Sequence, residues 1–397
     1  MRISTASAFR QSLENLQSQQ TQLAKIQDQI GKGTKISTAA EDPAAMARIM
    51  TLDQSLADTA RYQSNISQSQ QRLGLEENAL SSSSDVLQRI RELAVQANSG
   101  TQSADSRSAI ATELQQRYDE LLSHANAQDG EGRYLFAGSD DGGQPFSKVG
   151  AGVSYNGDQN GRLIEIGPHR TIADGDNGAS VFVNARSGDG TTKVTAAASN
   201  TGTAAVSNSR VIDASLWDGG DYTINFNGGN YQVKDSGGAV VAGGAYTSGN
   251  GIRFRGVEIT VGGAPRDGDQ ISVGPSRQKD IFSSIQDLIT QVQNPAASAA
   301  DRARVQTSMY GTMNEIDNAL GQVSNVRATV GNRLAALDSA SASLGQYDVT
   351  SRQALSDLRD LDYADAATKL NLHATALQAS QQAFMKVQSL SLFDYLR

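Results

Sequence analysis

The sequence predicts an α + β multidomain protein: a long antiparallel helical rod, coiled-coil-like, built from both ends of the chain, with an antiparallel β domain inserted between its arms. Three observations carry this. Of the 38 glycines in 397 residues, 29 lie between Glu131 and Gly274, and a glycine weakens a helix interior by up to about 1 kcal/mol. Apolar residues recur at sevens in both flanks, the period that keeps one seam facing a partner helix over many turns. Between the flanks the pattern changes to strand-like alternation punctuated by Asn-Gly and Gly-Gly.

The first element is an amino-terminal helix whose stripe is Phe9, Leu13, Leu16, Leu23 and Ile30, diluted by Gln20 and Gln27. A second helix starts at Asp42-Pro43, a capping carboxylate before a proline at the first helical position, and runs to about Asn98. It would be roughly 80 Å long at 1.5 Å per residue. Its seam is Leu52, Thr59, Ile66, Leu73, Leu80, Leu87 and Ala94; the run Ser81–Ser84 within it reads as a solvated face. A third helix carries Ile110, Leu114, Leu121 and Ala125 on one side and stops before Asp129-Gly130.

In the middle, Val153–Tyr155 and Leu163–Ile166 flank NGDQNG and read as a hairpin. Tyr222, Ile224 and Phe226 turn through Asn227-Gly-Gly-Asn230 into Tyr231 and Val233. Ile252, Phe254, Val257, Ile259 and Val261 continue, and Ile271-Ser-Val273 closes the domain, with Trp217 expected as an anchor of its core. On the return side Ile281, Ile285, Leu288 and Val292 make a short helix broken at Asn294-Pro295. The long return helix has the seam Met309, Ile316, Val323, Val330, Leu337 and Leu344. The last helix repeats Leu370, Leu377 and Phe384, with Val387 on the alternate position.

The chain would therefore go out along one arm and return along the other. The expected division is 1–40 with 350–397 as a terminal coiled-coil assembly domain, 41–130 with 276–349 as a helical rod, and 131–275 as the solvent-exposed β domain. The long seams are expected to be satisfied arm against arm. Thin terminal stripes are marginal alone, so both ends are expected to be poorly ordered in an isolated monomer and to be buried between molecules on assembly.

Little in the chain suggests chemistry. There is no cysteine and there are three histidines, which excludes a disulfide framework, a zinc-thiolate centre and a thiol nucleophile. His124 and His373 sit in helical pattern and His169 follows Gly167-Pro168; each reads as packed or solvated. Asp174-Gly-Asp176-Asn177-Gly178 lacks the glutamate of a calcium loop and reads as a polar turn. No catalytic, cofactor-binding or metal-ligating residue is assigned and no cofactor is expected. The net charge of −8 gives no reason to expect nucleic acid. No apolar run of membrane length and no cleavable signal is present, so no membrane partner is expected.

Several blocks resemble a known family. Met1-Arg-Ile-Ser, then GKGTKISTAAEDPAAMARI at 31–49, is similar to the amino-terminal region of the bacterial flagellin family, as is IATELQQRYDELLSHAN at 110–126 to the helix that follows. Gly132-Arg-Tyr-Leu-Phe-Ala-Gly138, the passage from Gly263 to Phe282, and the ending from Leu377 to Tyr395 resemble the hook–filament junction branch of that family more than filament flagellin. The likeness covers roughly 1–140 and 260–397; the stretch between resembles no family.

The resemblance implies a structural flagellar protein, not an enzyme. It would be exported largely unfolded through the flagellar type III apparatus, without a cleaved signal, and assembled outside the cell. Terminal helices would self-associate around the central channel, between a neighbouring hook-associated protein and the first flagellin subunits. An export chaperone would cover Leu370, Leu377, Phe384, Val387, Leu390 and Phe393. The alternatives are filament flagellin itself or a surface enzyme on a flagellin-like scaffold, for which acidic pairs within 131–275 would have to supply the chemistry.

Overall fold

The computed structural model describes residues 5–99, 102–150 and 152–395, with the side chains of 5, 6, 8 and 387–395 outside that description. Its helices are α1 (Thr5–Lys32), α2 (Pro43–Ala97), α3 (Ala104–Ala125), α4 (Ile281–Gln293), α5 (Ala299–Arg359) and α6 (Tyr363–Tyr395). All fourteen strands described lie between α3 and α4. The helical ends with an antiparallel β domain between them are as the sequence predicts. The chain forms two compact units, residues 1–64 with 340–397 and residues 65–339.

Asp42 caps α2 as expected, its Oδ1 accepting from the Ala44 and Ala45 amides at 3.1 and 2.9 Å. Most of α2 lies in the second unit, where α5 runs antiparallel to it. Gln70 donates to Asp338 at 2.6 Å, Arg327 to Glu77 at 2.6 Å, and Arg91 pairs with Asp317. Ile66, Leu73, Leu80 and Leu87 on α2 are buried, as are Met309, Ile316, Val323, Val330 and Leu337 on α5. The serine run is not a solvated face: Ser83 and Ser84 are buried, and Ser83 Oγ donates to Ala79 O at 2.7 Å. Buried positions Val86, Leu87, Ile90, Leu93 and Ala94 show why. This stretch of α2 is enclosed on more than one stripe, and a helical serine can satisfy itself on its own preceding turn.

An aromatic core joins α3 and α4 to the first part of the inserted segment. Phe182, on a single π-helical turn at Ala179–Val183, meets Phe146 edge-on at 5.5 Å and Phe136 at 5.3 Å. Tyr118 of α3 meets Phe282 of α4 at 5.8 Å. Residues 131–184 thus pack with helices.

The hairpin expected across NGDQNG does not form. β2 (Gly152–Tyr155) pairs with β1 (Phe146–Val149), and β3 (Leu163–Gly167) pairs with β4 (Arg170–Ala173). The loop between is tied elsewhere. The Asp158 carboxylate accepts from the Ser139 and Asn160 amides at 3.0 and 2.8 Å, and Tyr155 OH donates to Asp158 O at 2.7 Å. The bond from the Ser139 hydroxyl, followed by its amide, lowers the Asp158 pKa to about 2.

The rest of the insertion has its own core. A five-stranded antiparallel sheet in the order β10 (Val240–Ala245), β9 (Asn230–Asp235), β8 (Tyr222–Asn227), β13 (Gln270–Pro275), β6 (Thr192–Ala196) contributes Ile224, Phe226, Val233, Ile271 and Val273. A three-stranded sheet of β11 (Gly251–Phe254), β12 (Val257–Gly262) and β7 (Ala205–Val211) adds Ile252, Val257, Ile259 and Val261. The turn joining β8 to β9 is the predicted one: Asn227 pairs with Asn230, and Gly228 and Gly229 both take positive φ, +58° and +76°, as a two-residue type I′ turn demands. Trp217 lies at the margin of this core, half-buried, 5.9 Å from the Tyr222 ring. β7 is an edge strand, and α5 covers it: the Val206 amide donates to Thr307 Oγ1 at 3.0 Å and the Ser209 amide to the Tyr310 hydroxyl at 2.8 Å. Side chains one helical turn apart thus occupy donors that would otherwise template another chain.

Candidate assembly surface

The first unit holds the surface that the sequence singles out. α1 and α6 lie antiparallel: Phe9 meets Phe384 with ring centroids 5.1 Å apart, and further along Gln19 Oε1 is 2.9 Å from His373 Nδ1. The sequence predicts ends that are poorly ordered in an isolated monomer; among the described residues α1 and α6 are helical and paired, because each thin stripe finds the other within the same molecule. Closure is incomplete. Leu16, Leu23, Ile30, Leu370, Leu377 and Phe384 are half-buried, while Phe9 and Leu13 remain 42% and 41% exposed. Val387, Leu390 and Phe393 have side chains outside the described residues. In α6 Leu372 and Met385 are 65% and 67% exposed. The buried member of the α1 stripe is Ile26, overlooked in the sequence although it stands three residues after Leu23 and four before Ile30. Leu52 and Leu344, the outermost members of the long seams, are half-buried, and both belong to this unit, with buried Thr59 and Leu355.

Polar groups elsewhere are engaged in holding the chain together. In the second unit Arg72 reaches Asp129 at 3.0 Å and Tyr134 O at 2.9 Å, Arg162 grips Asp174 through Nε at 3.0 Å, and Arg333 meets both oxygens of Asp176 at 2.8 and 3.0 Å. The two acids of the supposed turn, Asp174 and Asp176, are thus arginine partners. Glu76 on α2 is fully buried; its Oε1 accepts from the Asp176 amide at 3.1 Å and its Oε2 has no hydrogen-bond partner. Burial first, and the nearby Asp176 carboxylate second, push its pKa well above the usual carboxylate range. His124 has Glu120 one turn before it, Nε2 to Oε1 4.0 Å, a neighbour the sequence reading overlooked. Among the described residues no three His, Asp or Glu side chains gather as a metal site, and no helix is long and apolar enough to cross a membrane.

Comparison with known proteins decides the family. Residues 3–141 match the bacterial flagellin N-terminal helical region and residues 313–396 the bacterial flagellin C-terminal helical region. A solved FlgL structure from Xanthomonas campestris is 38% identical, covers 77% of this chain and 99% of its own, and superposes with a TM-score of 0.73. The flagellar junction protein FlgL from Legionella pneumophila is 30% identical, covering 79% of this chain and 99% of its own, with a TM-score of 0.72. The chain belongs to the FlgL family. The flagellar hook-associated protein 3 of Escherichia coli is similar at 25% identity over 99% of both chains.

Membership makes this a flagellar structural protein by kinship, and it corrects one reading of the sequence. The inserted segment, which resembled no family, matches over residues 195–275 a D2-like domain of flagellar hook-associated protein 1. Those residues include both sheets of the separate β core except the first three residues of β6, Thr192 to Val194. The FlgL-like fold therefore carries its exposed terminal stripe on helices and its variable-looking middle on a domain shared with another hook-associated protein.

Proposed function

We propose that the chain is a structural subunit joining hook to filament, held in place by its terminal helices, and not an enzyme. The observation that carries this is the incomplete closure of the α1–α6 pair. Two helices whose seam residues stay half-buried, with Phe9, Leu13, Leu372 and Met385 still exposed, bury that surface when further chains pack around them. Kinship with a flagellar junction protein supplies the setting. In this reading the chain is secreted, lies in the extracellular flagellum, associates with copies of itself, and touches a neighbouring hook-associated protein on one side and flagellin on the other. An export chaperone covers the apolar positions of α6 before assembly. The functional parts are the terminal helices 1–40 and 350–397, the helical segments 41–130 and 276–349, and the insertion 131–275 facing solvent. The arginine partners of Asp174 and Asp176 support a non-enzymatic insertion, since carboxylates so engaged are not free for proton transfer.

The test is a double variant, Leu377→Glu with Phe384→Glu. It should leave the 194–273 β core folded, as read by near-ultraviolet circular dichroism, and abolish filament growth from the hook. Filaments of normal number and length would refute the assignment of these residues to assembly.

A further inference from the structure

The block GKGTKIS at 31–37 has no task in the assembly reading, and the structure assigns it one. We propose that Gly33–Lys35 and Arg359–Leu361 form a register lock that fixes how α1 pairs with α6. Thr34 and Asp360 face one another as an isolated antiparallel bridge. The Lys35 amide donates to Arg359 O at 2.7 Å and the Leu361 amide to Gly33 O at 3.1 Å. Gln29 Nε2, from the last turn of α1, donates to Lys35 O at 2.6 Å. The bridge therefore joins the exit of α1 to the entry of α6, at the foot of the pair. A slip by one residue would take both main-chain donors off their acceptors at once.

The helices need such a device because their stripes specify register poorly. Leu370, Leu377 and Phe384 repeat at sevens, and Gln20 and Gln27 occupy the facing stripe at the same interval. A displacement by a whole heptad would set apolar against apolar almost as well. With the lock closed, Gln19 meets His373 and Phe9 meets Phe384. Gly33 is the residue the lock cannot replace. Its φ is +69°, and a Cβ there would lie 2.9 Å from the Tyr363 hydroxyl on the first residue of α6. Gly33 and Tyr363 are positioning residues for the terminal pair.

Because the chain has no cysteine, engineered pairs report register directly in the full-length monomer. Gln19→Cys with His373→Cys should oxidise to one intramolecular disulfide. Gln19→Cys with Ser380→Cys, one heptad out of register, should not. Adding Gly33→Ala should lower the in-register yield relative to the slipped one by about tenfold, the equivalent of forcing one side chain into the left-handed region. Adding Tyr363→Phe to that variant should restore part of the selectivity, since the hydroxyl contact is gone while the backbone strain stays. Unchanged selectivity in Gly33→Ala would overturn the proposal. If that variant fails to fold, amide exchange in the unaltered chain decides: protection of the Lys35 and Leu361 amides supports the lock, and exchange as fast as in open loops refutes it. The measurement needs no assembly, so its failure would leave the junction reading standing.

Discussion

Truncating one leucine in each of two seams separates a closed core from a surface that awaits partners. Leu80 on α2 is fully buried. Leu80→Ala removes three carbon groups at about 0.8 kcal/mol each and leaves a cavity, for a total of about 3–5 kcal/mol. At about 2–4 °C per kcal/mol for a unit of this size, the midpoint of thermal unfolding should fall by about 6–20 °C. Leu377 on α6 is half-buried, so the same truncation forfeits about half the transfer energy and opens no closed cavity, about 1 kcal/mol. The assay is thermal and urea unfolding of the isolated chain followed by circular dichroism, set beside filament growth with each variant. Leu80→Ala should unfold easily, whereas Leu377→Ala should unfold almost normally and assemble poorly. If Leu377→Ala destabilised the isolated chain as much as Leu80→Ala, the terminal pair would be a finished core, and the case from incomplete closure would fail.

Glu76→Gln should stabilise the chain near neutral pH by about 1–3 kcal/mol, because it removes a buried carboxylate charge while keeping an oxygen to accept from the Asp176 amide. Because the folded pKa of Glu76 lies above its ordinary value of 4.5, the native state holds the proton more tightly. The contribution of Glu76 is therefore most favourable below 4.5 and is lost as pH rises through the folded pKa. Urea titrations of both chains across pH should converge on the acid side, and a gap that widens there would contradict the sign. Gly178→Ala should cost about 1–3 kcal/mol by overpacking, since its φ of −63° suits alanine but its Cβ would stand 2.6 Å from the Phe146 ring; an unfolding midpoint equal to wild type would show that the aromatic core can yield. Asp42→Ala should cost about 1 kcal/mol and speed hydrogen exchange at the Ala44 and Ala45 amides, with the middle of α2 unaffected.

The legible part of this fold was written in local periods. Heptads place α2 and α5, the Asp42-Pro43 start and the Asn294-Pro295 break mark helix limits, and Asn227-Gly-Gly-Asn230 announces its turn with two glycines that must adopt positive φ. What was not legible depends on partners far away in the chain. Ser83 and Ser84 look polar and exposed in a helical wheel, yet they are buried on a stretch of α2 where Val86, Leu87, Ile90, Leu93 and Ala94 are buried too, an enclosure that no local period announces. Asp158 binds back to Ser139 and so prevents the hairpin that NGDQNG suggests. Phe136, Phe146 and Phe182 belong to a core completed by Phe282, on a helix far later in the chain. Of the candidate surface, the stripes on α1 and α6 were legible, but Ile26 was passed over, and the bridge from Thr34 to Asp360 has no local signal at all.

The central claim is tested most directly by locating and counting the protein in purified flagella, with labelled-antibody electron microscopy and quantitative mass spectrometry on the same preparation. A trace amount confined to the boundary between hook and filament is the predicted result. Label along the whole filament, in amounts comparable to flagellin, would contradict it.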